Sequence, residues 1–124
     1  MKYMEFVIGM KNRYKNKNLE NEEIIDEING YICKYLEESN KGELLVSIYK
    51  GILEGKNQTE IANECEVNKS LVADYLVKIR RLVDGLKGVG IDLKQFERFE
   101  CRSYTFKEET IKKIDERHNI KRNR

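Results

Sequence analysis

The chain of 124 residues contains no proline and no long apolar run. Without proline, nothing in the sequence interrupts long helices or stiffens a linker. A membrane-spanning helix needs about 18 or more consecutive apolar residues, and no run in this chain approaches that length. The apolar segment 6–10 is too short for the core of a signal peptide, and Lys- and Asn-rich sequence follows it. We therefore expect a cytoplasmic protein without a membrane partner.

Cysteine and histidine are scarce and do not form a metal or catalytic pattern. Cys33, Cys65 and Cys101 are odd in number and far apart, which favours reduced, structural thiols. His118 has no cysteine pair close to it in sequence, so no zinc site is predicted. Residues 51–56 partly resemble a phosphate-binding loop, but the loop is too short and no Ser or Thr follows its lysine. No nucleophile–base pair is evident, so we expect neither an enzyme nor a bound cofactor.

The charge of the chain is unevenly distributed along the sequence. The net charge is only +2, and 37% of residues are charged, as in a small and mainly α-helical protein of one domain. Residues 1–19 carry a net charge of +4, residues 20–66 of −8 and residues 67–124 of +6. This pattern is expected if one face meets phosphates and another meets solvent or a partner. The alternative is an ordinary solvated surface with local fluctuations in charge.

Residues 56–83 have the spacing of two helices joined by a tight turn. Asn57 and Glu60 are placed as in a capping box, which predicts a helix from about residue 58 to residue 65. Ala62 stands where a second helix would cross, because a larger side chain there would push the two helices apart.

A second helix is predicted directly after this turn. Glu66 and Val67 make the turn, Val67 fills the gap between the helices, and Asn68 can cap the helix that follows. Apolar residues at steps of three and four form its inner face: Val72, Tyr75, Ile79, Leu82 and Val83. The outer face is left with Lys69, Ser70, Ala73, Asp74, Val77, Lys78 and Arg81.

This stretch resembles the helix-turn-helix of bacterial transcription regulators and the promoter-reading region of sigma factors. The matching residues are Glu60, Ile61, Ala62, Val67, Val72 and the pair Tyr75 and Leu76. Glu66 departs from the family, which has glycine there in a left-handed backbone conformation. Glutamate can adopt that conformation at a modest cost, and we expect a wider turn. With a helix predicted at 43–54, the resemblance covers residues 43–84 and implies a tri-helical core.

The resemblance implies that the second helix enters the major groove of double-stranded DNA. The residues expected nearest the bases are Asn68, Lys69, Ser70, Ala73 and Asp74. The residues expected at phosphates are Gln58, Thr59, Lys78, Arg80 and Arg81, with Arg80 lying partly against the body. A homodimer on a two-fold site would double the contacts, with half-sites about 34–36 Å apart. We expect its interface on surplus apolar surface of residues 1–38.

Two helices are predicted before this core. Residues 1–17 indicate a short amphipathic helix that either packs on the body or forms a dimerisation arm. Residues 22–38 predict a helix with a wide apolar face, in which Gly30 would allow a close helix contact. After the core, three glycines are expected to break the helical pattern: Gly85, Gly88 and Gly90.

The segment 91–106 has two interpretations. Tyr104 and Phe106 alternate with polar neighbours, as in a strand. A small β-hairpin wing is the favoured interpretation, with Arg98 and Arg102 near the tip that touches DNA. The alternative is a capped helix with Asp92, Leu93, Phe96 and Phe99.

The sequence thus predicts three regions and leaves three functions open. The regions are a helical extension at 1–40 for dimerisation, a DNA-binding domain at 41–118 and a basic tail at 119–124. The favoured function is a small transcription regulator. One alternative is a DNA-binding adaptor of plasmid or phage partition, replication or conjugation. The other is a protein-interaction module that holds a partner through the acidic region 20–66.

Overall fold

The protein is mainly α-helical, as predicted. The computed structural model describes residues 1–93, 112–113 and 116. Within residues 1–93 the helices in chain order are α1 Tyr3–Tyr14, α2 Glu22–Glu37, α3 Gly42–Leu53, α4 Gln58–Cys65 and α5 Lys69–Gly88. None of the described helices is long and apolar enough to cross a membrane. The segment 94–106, and with it the choice between a wing and a helix, lies outside the described residues, as do Arg98, Arg102, His118 and the tail 119–124.

The N-terminal helices α1 and α2 lie antiparallel to each other. The rings of Phe6 and Tyr35 are 4.5 Å apart between centroids, and the Tyr14 hydroxyl donates a 2.7 Å hydrogen bond to Glu27 near the other end. The predicted apolar face of α1 is confirmed, because Phe6, Val7, Met10 and Tyr14 are buried. Of its two predicted placements, α1 therefore takes the one on the body of the protein.

All five helices share one apolar core. Fully buried side chains come from α2, α3, α4 and α5, including Ile32, Ile48, Ile61 and Ile79. The apolar side chains of residues 1–38 that we expected at a dimer interface are therefore largely used inside the protomer. They are covered because α1 packs on α5 and α2 packs on α3.

The contacts of α2 and α3 involve a buried tyrosine and small glycine residues. Tyr49 of α3 is fully buried, and its hydroxyl donates a 2.6 Å hydrogen bond to Asn29 Oδ1. Burial raises the pKa of this phenol well above its ordinary value. Gly30 does not mediate a helix contact, since no atom of the described residues lies within 4 Å of a Cβ added there. Close approaches occur instead at Gly42, where an added Cβ would overlap the backbone carbonyl of Glu37, and at Gly51, where it would lie 2.8 Å from Ile61 Cγ1.

The helix α5 is longer than the glycine pattern predicted. It continues through Gly85 and ends at Gly88, so only Gly90 marks its end. Gly90 has a left-handed φ of 95°, and the Ile91 N–H donates a 2.8 Å hydrogen bond to Leu86 O. Packing of α5 on its neighbours offsets the loss of helix propensity at the interior glycines, which is about 1 kcal/mol for each.

Three helices end in the same way, with a left-handed residue after the last turn. Gly55 after α3 has φ 85°, Glu66 after α4 has φ 55°, and Gly90 after α5 has φ 95°. In each case the next residue donates its N–H to a carbonyl five residues back, as in a Schellman motif. Glu66 is the only one of these three residues that carries a Cβ, so the turn after α4 bears the backbone strain.

Replacing Glu66 by glycine should stabilise the fold. Left-handed backbone costs a residue with a Cβ about 1–2 kcal/mol, and the extra chain entropy of glycine offsets about 0.5–1 kcal/mol of that gain. We expect Glu66→Gly to raise the free energy of unfolding in urea by about 0.5–1 kcal/mol. The matched variant Glu64→Gly, in the helical backbone of α4, should lower it. A loss of stability in Glu66→Gly would contradict a strained turn.

Candidate nucleic-acid interface

The short helix α4 begins at a capping box. Asn57 Oδ1 accepts a 2.9 Å hydrogen bond from the Glu60 N–H, and Glu60 Oε1 accepts a 3.2 Å bond from the Asn57 N–H. Two of the N–H groups that a helix start leaves unbonded are thereby satisfied. The helix spans Gln58–Cys65, which are the predicted bounds.

The turn between α4 and α5 comprises residues 66–68. Glu66 adopts the left-handed conformation that favours glycine, and the Val67 N–H donates a 3.0 Å hydrogen bond to Ala62 O. Ala62 itself is 4% exposed, which agrees with its predicted place where helices meet. Val67 is half-buried against the core. The turn is therefore fixed by backbone hydrogen bonds and by small apolar contacts.

The helix α5 is capped by Asn68. Its Oδ1 accepts hydrogen bonds from the Leu71 N–H at 2.9 Å and from the Ser70 hydroxyl at 2.8 Å. The predicted cap is thus confirmed, and the same bonds occupy the side-chain oxygen that we expected to reach DNA. The predicted inner face is buried throughout: Val72, Tyr75, Ile79, Leu82 and Val83.

The predicted DNA-contacting residues differ in exposure. Thr59, Asn68, Lys69 and Ser70 are exposed. Half-buried positions are Gln58, Ala73, Asp74, Lys78 and Arg81. Arg80 is only 8% exposed, which agrees with its expected position against the body, and its role at a phosphate stays a prediction. Arg80 lies three turns beyond Lys69 on nearly the same side of α5, where the second half of the helix is covered.

The cations on the second half of α5 are placed over aromatic rings. Lys78 Nζ lies 5.8 Å from the centroid of the Tyr75 ring, and Arg81 Cζ lies 4.0 Å from the centroid of the Tyr3 ring. The Tyr3 hydroxyl also donates a 3.1 Å hydrogen bond to Arg81 O. Sequence reasoning missed Tyr3 because 78 residues separate the partners. An aromatic residue on an amphipathic helix carries no signal for such a contact.

The negative charge of the protein is concentrated in residues 20–66, and these acidic side chains lie at the surface. All twelve acidic residues of the region 20–66 are exposed. Near α4, Lys56 Nζ lies 2.7 Å from carboxylate oxygens of both Glu54 and Glu64. Hydrogen bonds to Glu54 and Glu64 raise the pKa of Lys56 above its ordinary value. The positive charge of Lys56 is therefore balanced by two carboxylates, and Lys56 adds little positive potential to the candidate interface.

The positive charge of the C-terminal part is shared between two segments. Residues 67–93 contain five basic and three acidic side chains, whereas residues 94–124 contain ten and six. Most of the net positive charge of residues 67–124 thus belongs to the segment 94–124. Around α5 itself the charged candidates are Lys69, Asp74, Lys78 and Arg81.

The described cysteines are free thiols in half-buried positions. Burial raises the pKa of Cys33 and of Cys65, which keeps both thiols protonated at neutral pH. Cys65 lies at the end of α4, partly packed against the core, in line with its predicted structural role. Cys101 lies outside the described residues.

Comparison of the chain with protein-family models, curated proteins and solved structures finds no match. The candidate interface therefore rests on the geometry of α3, α4 and α5 and on the side chains that they expose.

Removing the cap of α5 should destabilise the fold. We expect Asn68→Ala to lower the free energy of unfolding in urea by about 1 kcal/mol, because the Leu71 N–H loses its acceptor. Asn68→Asp should retain the stability of the wild type, since a carboxylate also accepts at the positive end of a helix. Asn63→Ala, at an exposed position inside α4, is the control and should show no loss. Equal stability of Asn68→Ala and the wild type would contradict the capping role.

Proposed function

We propose that α3, α4 and α5 form the helix-turn-helix of a sequence-specific protein that binds double-stranded DNA. The observation that carries this proposal is the first half of α5. Lys69 and Ser70 are exposed there, while the buried stripe that starts at Val72 holds the helix on α3 and α4. A helix held by one face, with polar side chains on its opposite face, suits the major groove, which is about 12 Å wide and admits one helix.

The proposed contacts divide into base-reading and phosphate-binding groups. Lys69 and Ser70 can reach base edges directly, and Asp74 can accept a hydrogen bond from a cytosine amino group. The small side chain of Ala73 on the same face allows α5 to approach the bases closely. Thr59 and Gln58, in the first turn of α4, can bind phosphate together with the helix N-terminus.

The remaining phosphate contacts fall to the second half of α5 and to the segment beyond it. Lys78 and Arg81 are the cations of α5 that we propose at phosphates, and Arg80 is omitted because it is buried. A wing with Arg98 and Arg102 at its tip stays a prediction. The biological role that we favour is a small transcription regulator, acting in the cytoplasm by occupying a promoter.

The proposal is tested by binding the purified chain to a library of genomic DNA fragments. The salt concentration should be near physiological, about 150 mM, because phosphate contacts weaken steeply with salt. Recovery of a palindrome near a promoter would support a dimeric transcription regulator. Recovery of an array of repeats would favour the adaptor of partition, replication or conjugation. A library from which no fragment is retained would overturn DNA binding and leave the protein-interaction module.

Variants of α5 should separate base reading from phosphate binding. Replacing both Lys69 and Ser70 by alanine should weaken binding to the recovered fragment more than binding to unrelated DNA. Arg81→Ala should weaken both, and it should reduce the slope of log affinity against log salt by about 0.9, the value for one lost phosphate contact. Lys50→Ala, an exposed change on α3, is the matched control. Equal losses on both DNAs for the Lys69 and Ser70 variant would contradict base reading by this helix.

A homodimer remains part of the proposal, with a smaller interface than the sequence suggested. The chain start and the outer face of α1 expose Met1, Met4 and Ile8 at steps of three and four, and the last two are 57% and 49% exposed. We propose that these apolar side chains contact a second copy of the chain.

Light scattering can check this interface directly. The wild type at concentrations that saturate DNA should have the mass of a dimer, and Ile8→Glu should have the mass of a monomer. Glu5→Gln, also exposed on α1, is the control and should remain dimeric. A monomeric wild type under those conditions would remove the dimer from the proposal.

A further inference from the structure

Where the N-terminal helix α1 packs on the proposed recognition helix, Tyr3 contacts Arg81. The guanidinium of Arg81 lies over the ring of Tyr3, with 4.0 Å between Cζ and the ring centroid. The hydroxyl of Tyr3 donates a 3.1 Å hydrogen bond to the carbonyl oxygen of the same arginine. Tyr3 thus contacts both the side chain and the backbone of Arg81.

The space for this contact is provided by a glycine of α5. A Cβ added at Gly85 would overlap the hydroxyl oxygen of Tyr3 and would lie 3.0 Å from the ring carbon Cζ. Gly85 follows Arg81 by four residues, so both lie on the same side of α5. A larger residue at position 85 would push the Tyr3 ring away from the guanidinium.

Arg81 belongs to the outward stripe of α5. Ser70, Asp74, Val77 and Arg81 follow one another at steps of four, three and four, which places them on one face of the helix. Arg81 lies about 16 Å along the axis from Ser70, at 1.5 Å per residue. Arg81 is therefore too far along the helix for the bases that Ser70 would contact, and it lies where backbone phosphates are expected.

We propose that Tyr3 is a positioning residue that orders Arg81 for contact with a DNA phosphate. This inference rests on the proposed DNA-binding function. A guanidinium stacks through its face and binds phosphate oxygens along its N–H edge, so one arginine can do both. A long side chain loses rotamer freedom when it is immobilised at an interface. Because the stack orders Arg81 before DNA arrives, part of that loss is removed from the binding step.

A double-mutant cycle tests the inference with the full chain and the recovered DNA fragment. Tyr3→Leu removes the ring and should weaken binding about two- to fivefold, the range for an exposed cation–π contact. Arg81→Ala should weaken binding about tenfold, as for one charge-assisted hydrogen bond. The double variant should bind no more weakly than Arg81→Ala alone, because Tyr3 acts only through Arg81. Losses that multiply would overturn the inference.

Two further variants separate positioning from a general effect on the fold. Gly85→Ala should weaken binding as Tyr3→Leu does, although it changes neither partner of the stack. Tyr3→Phe keeps the ring and should bind nearly as the wild type, and in the Gly85→Ala background it should restore affinity by removing the overlapping hydroxyl. Absence of this restoration, with both proteins folded by circular dichroism, would also overturn the inference.

The matched control is a second arginine stack on α1. Arg13 Cζ lies 4.5 Å from the centroid of the Tyr31 ring, in the groove between α1 and α2. Tyr31→Leu removes a contact of the same kind without touching α5 and should leave DNA affinity unchanged. DNA binding by the wild type with multiplicative losses would refute the positioning role alone. No DNA binding by the wild type would refute the proposed function as well.

Discussion

The packing of α5 is the constraint on which the rest of the structure depends. This helix contacts α1, α3 and α4, and its fully buried residues Val72, Ile79 and Leu86 span four turns. Burial of each such side chain contributes about 1.5–3 kcal/mol relative to an exposed one. The same burial fixes the rotation of α5 about its own axis. It thereby decides that Lys69 and Ser70 face outward at the start of the helix, whereas Arg80, three turns further along on nearly the same side as Lys69, is covered.

The part of the site that follows from local chemistry could be predicted from the sequence. Capping residues act within three positions, so Asn57 and Asn68 marked the starts of α4 and α5 correctly. An apolar stripe at helical spacing is also a local pattern, and it separated the inner face of α5 from its outer face. The left-handed residue at Glu66 was expected from the resemblance, and the backbone adopts it without a glycine.

Contacts between distant segments could not be predicted, because no local pattern encodes them. The Tyr3–Arg81 stack and the Tyr49–Asn29 hydrogen bond each depend on how whole helices are placed. Gly85 looked like a helix breaker by propensity alone. In the fold it is a helical residue whose missing side chain admits Tyr3. Tertiary packing overrode an intrinsic preference of about 1 kcal/mol.

The number of cations around α5 limits how tightly one copy of this unit could hold DNA. If α5 is the recognition helix, its proposed phosphate contacts are Lys78 and Arg81, for a salt slope of roughly −1.8 at −0.9 for each contact. Proteins with strongly salt-dependent binding make about 6–10 such contacts. The remainder must come from a second copy of the chain or from the ten basic residues of the segment 94–124. These two sources predict different salt dependence. A second copy would double the slope of log affinity against log salt only on a site with two half-sites. The C-terminal segment would steepen that slope on a single half-site as well.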